Sequence, residues 1–205
     1  MEIEETLKIL DAQAEGLKMH RDIDVPKKID ELEEISESNF EEFLKKVTSK
    51  DYTVIVFSQG DIYDIFNFIA PSTQKQIKSI IQYAPYAASI LATIYGLSTE
   101  NYVLAASLII PFIAGFITGF LKTGLVTVLI LVSLIIYFYA NANTVGVIFM
   151  IVWTVSILLS RFLRFYIQQT LLNLALSSER IFVFLYYSRL LRILDTKNDR
   201  LMYSK

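Results

Sequence analysis

Between Lys78 and Arg161 the chain runs for 82 residues with only two charged side chains, Glu100 and Lys122. Helices that are apolar all round belong to the core of a large protein or to a bilayer. A chain of 205 residues lacks the polar shell that a soluble core of this size would need. The stretch is therefore predicted to sit in a membrane.

Polar breaks at 98–101, 122–124 and 141–144 divide the run into four apolar pieces, 80–97, 102–121, 125–140 and 145–163. A spanning helix takes about 20 apolar residues, and flanking small and polar residues extend the shorter pieces. The predicted fold is an all-α polytopic membrane protein. A four-transmembrane-helix bundle occupies 73–163. A small, acidic, mostly helical cytosolic domain with one or a few short strands precedes it, in 1–72. A basic, amphipathic, helical cytosolic segment follows, in 164–205.

Lysine and arginine set the threading. Lys78 precedes the first span, Lys122 lies in the second break, and Arg161 and Arg164 close the fourth span, while the first and third breaks hold no base. Every base then falls on one side, with both termini cytoplasmic. These four residues are the expected membrane-interface anchors; a long cationic side chain at a helix end reaches the interface at little cost. Tyr95, Tyr102, Tyr137 and Tyr139 mark the outer boundary.

The ends differ in charge. Residues 1–75 hold 17 acids and nine bases, and 161–205 hold three acids and eight bases. The net values of −8 and +5 favour docking of the front on the tail. Arg189 and Arg192 are the residues expected to make that docking or to meet anionic lipid. The bases are too sparse for nucleic acid.

Within the front, Ile3, Leu7, Leu10, Ala14 and Leu17 follow a heptad pattern. So short a coiled-coil segment needs a surface to pack on, either its own domain or a second copy. Pro26 suits the first turn of a second helix, and Ser38 with Glu41 forms a capping box for a third. Residues 52–57, YTVIVF, read as a strand. Its partner by composition is 180–187, RIFVFLYY, which reads equally as buried helix. A turn at Asn198 and Asp199 is expected to fold 200–204 back beside 189–194. The acidic first residues carry no signal-peptide pattern, so the front is expected to stay where it is made.

No catalytic set emerges. Cysteine is absent and His20 is the sole histidine, which removes thiolate chemistry and His-rich metal motifs. The single glycine in 58–61, SQGD, cannot cradle phosphate. The expectation is a non-enzyme without cofactor or metal. Two features of the spans concern packing instead. Gly115 and Gly119 form a GxxxG, with Pro111 and Ala114 just before it; this is an expected helix-packing or oligomer face. Gln82, Ser89 and Thr93 form a polar stripe in the first span that would suit a pore or an interhelical seam. Two functions remain open at this point. One is a self-associating membrane subunit or scaffold, a homo-oligomer that could also hold a protein partner on its cytosolic side. The other is an oligomeric channel gated by the cytosolic domain.

Overall fold

The computed structural model describes residues 4, 7, 8, 10–12, 26–57, 62–101, 104, 106–120 and 144–203. Lys122, the expected third span at 125–140, and Ile3, Ala14 and Leu17 of the heptad lie outside the described residues. The structure is mostly helical, with one small three-stranded sheet. It divides into two compact units, one made of Met1–Gln76 with Tyr166–Lys205 and the other of Ile77–Phe165.

The first unit is built from both ends of the chain. Helix α1 (Phe40–Thr48) is capped by Asn39, whose side chain accepts from the Glu42 amide at 2.9 Å. The cap is one residue later than the expected Ser38, whose hydroxyl instead bonds the Glu42 carboxylate at 3.2 Å. Strand β1 (Tyr52–Val56) follows, then helix α2 (Ile62–Ile69). The expected helix after Pro26 reduces to a 3₁₀ turn at Ile29–Glu31. Ile29 of that turn is buried, as are Leu32 and Ile35 after it; Leu32 is already extended, with φ −94° and ψ 108°, and ends the winding. Residues 4, 7, 8 and 10–12 are helical, and Leu10 is buried within the chain, as folding back would require.

From the tail come helix α6 (Glu179–Tyr187) and strands β2 (Leu191–Asp195) and β3 (Arg200–Met202). Thus RIFVFLYY is helix, and β1 pairs with the next segment, antiparallel, with Val54 opposite Ile193. A run buried on nearly all sides carries no period that separates helix from strand. The hairpin about 198–199 forms, with Ile193 opposite Met202. The sheet buries Tyr52, Val54, Val56, Leu191, Ile193 and Met202 on one face. Its core is aromatic: Phe182 of α6 lies 4.7 Å from Phe43 and 5.7 Å from Phe40, centroid to centroid.

One carboxylate is buried at the base of this core. Glu37 accepts through Oε1 from Tyr52 (2.9 Å), Ser36 (3.1 Å) and Lys46. Burial pushes its pKa up, but the hydrogen bonds from Lys46, Tyr52 and Ser36 and the Lys46 charge outweigh burial and hold it below the usual value. A depressed folded pKa gives stability that is present above the unfolded value and lost as pH falls through the folded one. Thermal midpoints should therefore be flat near neutrality and fall below about pH 4.5. Glu37→Gln should remove part of that fall, because Asp51 and Asp195, held down by Lys197 and Asn198, titrate in the same range.

The second unit contains the greater part of helix α3 (Ser72–Ser98), helix α4 (Ile110–Phe120) and the first two-thirds of helix α5 (Thr144–Ser177). Among the described residues two helices, α3 and α5, are long and apolar enough to cross a membrane. The expected second span is different in kind. A 3₁₀ turn at Ala106–Ile109 runs into the 11 residues of α4, and Pro111 lies in the first turn of that helix. There the missing proline N–H costs nothing, so Pro111 starts the helix and does not kink it.

Candidate functional site

Helix α3 presents one sealed face. Lys78, Ile81, Pro85, Ser89, Ala92, Thr93 and Gly96 are buried, at helical spacing. Ala92 joins Ile110 of α4 and Val152 of α5 in an apolar junction, with Ile148, Phe149 and Trp153 packed against it. Tyr86 meets Phe112 edge-on at 5.2 Å. Of the polar stripe, Ser89 and Thr93 lie on the buried face and Gln82 is half-buried.

Small polar groups surround the junction. The Ser156 hydroxyl donates to the Val152 carbonyl at 2.7 Å. The hydroxyls of Ser89 and Ser107 and the indole N–H of Trp153 are buried with no hydrogen-bond partner among the described residues. Buried donors are usually satisfied. Pattern reading found Ser89 through its spacing but missed Ser107, which stands alone between apolar neighbours.

The outward surface of this unit is apolar. Ile80 is 69% exposed, Leu91 68% and Phe112 66%, and Ile94, Leu97, Ile109 and Ile151 are also exposed. Only 28% of the most apolar window of α3 and 22% of that of α5 is buried. A soluble core helix has the opposite distribution.

The expected anchors and packing residues occupy varied positions. Lys78 lies on the buried face of α3 at 8% exposure, and Arg161 and Arg164 are half-buried on α5. Phe162 and Phe165, between and beside them, are exposed. Pro111 and Ala114 are buried. A Cβ built on Gly115 meets no atom within 4 Å; Gly119 is helical.

The front and tail meet at Arg180 as well as at Arg192, one of the two arginines expected there. Arg180, at the start of α6, donates to the Asp11 carboxylate at 2.8 and 3.0 Å and to the Pro26 carbonyl at 3.0 Å. Its neighbour Glu179 accepts from the Ile29 amide at 2.9 Å. Arg189 is exposed at the end of α6 with φ 61°, the left-handed residue of a terminating turn in which the Leu190 amide returns to the Leu185 carbonyl at 3.0 Å. Arg192, in β2, lies over the Phe57 ring at 3.8 Å.

Among the described residues no three His, Cys, Asp or Glu side chains group as metal ligands. No family model, curated protein or solved structure matches the chain.

Proposed function

We propose that the chain is a non-catalytic integral membrane protein, a self-associating subunit or scaffold whose 77–165 segment lies in the bilayer. The observation that carries this reading is the outward apolar surface of that segment, including Ile80, Leu91 and Phe112. In water such a contiguous surface is an aggregation liability; in lipid it is the expected exterior. Because Met1–Gln76 and Tyr166–Lys205 fold as one unit, the chain must leave and return on the same face, so the number of crossings is even. With α3 and α5 as two of them, hydropathy supplies two more at 102–121 and 125–140. The positive-inside pattern places both termini in the cytoplasm.

Self-association is read from α4, where Phe112 and Ile113 are exposed, as is Ile109 just before it, and space stands open beside Gly115. Close approach of a second helix at Gly115 and Gly119 would be stopped by leucine. Native mass measurement in nanodiscs should give an oligomer for the wild type. Gly115→Leu with Gly119→Leu should weaken it roughly tenfold, the effect of overpacking a tight contact by 1–3 kcal/mol. An unchanged oligomer would remove this face from the reading.

A second reading, an oligomeric pore, is favoured by the unpartnered Ser89, Ser107 and Trp153 donors, which water would satisfy. Liposomes holding the wild-type protein distinguish the two: tight vesicles support a scaffold, and ion flux supports a pore.

A further inference from the structure

The sheet has a second face, turned away from the aromatic core. Alternation along the strands places Thr53 and Ile55 of β1, Arg192 and Leu194 of β2, and Leu201 of β3 on it. Phe57 and Tyr203 continue it beyond the strand ends. Ile55, Leu201 and Tyr203 are exposed, and the face carries one charge, Arg192, with no acid.

The guanidinium of Arg192 is held by rings. It stacks on Phe57 at 3.8 Å and faces Tyr203 at 5.8 Å. Among the described residues it makes no hydrogen bond or ion pair, although the first unit is rich in carboxylates. An arginine stacked on aromatics has its plane fixed and its N–H edge pre-organised for a bidentate oxyanion.

We propose that this face lies on the membrane and that Arg192 binds the phosphate of an anionic lipid headgroup, with Phe57, Tyr203, Leu201 and Ile55 entering the interfacial layer. The proposal rests on the membrane reading above. The Gln168 side chain holds the Val56 carbonyl at 3.2 Å, which fixes this end of β1 to α5. Gln168 follows Arg164 by one helical turn, about 6 Å of rise, and Arg164 closes the fourth apolar run. Aromatic rings with a polar or cationic partner favour this layer. A two-fold related second copy would oppose the positive Arg192 faces and leave both charges unpaired, which disfavours that occupant.

The test uses the full chain in nanodiscs of phosphatidylcholine with or without phosphatidylglycerol. Native mass spectrometry reads retained lipid, and hydrogen exchange reads the peptides covering 52–57 and 190–203. Phosphatidylglycerol should be retained preferentially and should slow exchange in both peptides. Arg192→Gln should lower retention roughly fivefold, the effect of one basic residue at an anionic surface. Arg192→Lys should keep part of it.

Equal retention by wild type and Arg192→Gln would overturn the proposal. So would equal protection by inorganic phosphate in lipid-free detergent, which would make this a soluble-anion site. Loss of oligomer mass with unchanged lipid retention would assign the face to a second copy. If Arg192→Gln does not fold, the wild-type comparison of the two nanodiscs decides: no preference for phosphatidylglycerol overturns the proposal. Wild-type protein that fails to float with vesicles would overturn the membrane reading itself, whereas flotation without lipid preference sinks only this one.

Discussion

Replacing Phe182 by alanine should cost about 3–5 kcal/mol of the stability of the unit built from the two chain ends. Phe182 is fully buried and touches aromatic partners from both ends: Phe40 and Phe43 from the front, and Tyr186, stacked at 6.2 Å, from the tail. Phe43 passes the contact on to Tyr52 of β1 at 5.7 Å. The cavity left behind would therefore open where front and tail are joined, and the surrounding helix and sheet relax only partly into such a hole. Calorimetry of the full chain in detergent should show a lowered first transition. Limited proteolysis should cut residues 26–57 faster, with α3 and α5 still protected. Phe162→Ala provides the contrast, since Phe162 is half-exposed on α5 and should change neither readout by much. Unchanged proteolysis in Phe182→Ala would mean that the front is held by other contacts, with the Arg180–Asp11 pair the first to examine.

Leu91→Lys should lower stable membrane insertion by roughly a hundredfold. Leu91 is strongly exposed and lies near the middle of the apolar part of α3. A lysine at the centre of a spanning helix costs about 2.5–3.5 kcal/mol on insertion scales, which is the stated factor. The same substitution on a water-facing helix is nearly neutral, because leucine already exposed to water gains nothing by staying. The sign of the result thus separates lipid from water as the solvent of this face. The fraction of protein resisting alkaline extraction from membranes is the readout. Unchanged resistance, with the variant as soluble as its parent, would place α3 outside the bilayer.

The parts of this fold legible in sequence are those set by local pattern. The run from 79 to 160, with Glu100 and Lys122 as its only charges, needs no tertiary knowledge, and the alternation in YTVIV marks β1 because one face is buried and the other is not. The tail hairpin is signalled by Asn198 and Asp199, and the Asp195 carboxylate accepts from the Asn198 side chain at 2.7 Å. Where local pattern is silent or ambiguous, the reading departs from the structure. The run from 181 to 186 is apolar without a period, so its helix could not be separated from a strand. The winding after Pro26 stops at Leu32, which is extended, although the good helix formers Glu33 and Glu34 follow it. Pro111 marks a helix start, and sequence alone does not distinguish that from a kink. The pairing of Arg180 with Asp11 spans 169 positions, and no local rule selects it among eight basic residues of the tail. The polar stripe at Gln82, Ser89 and Thr93 was visible from spacing. Its company of Ser107 and Trp153 around an apolar junction follows only from how three helices meet.

The absence of cysteine makes one measurement unusually clean. Single cysteines placed at Ser49, Thr99 and Asn198, all exposed, would be labelled with a membrane-impermeant maleimide in sealed, right-side-defined vesicles. If both chain ends form one unit on one face of a membrane, positions 49 and 198 label from the same side and position 99 from the other. Labelling of 49 and 198 from opposite sides, or of 99 together with them, would contradict the even-crossing architecture on which the proposed function stands.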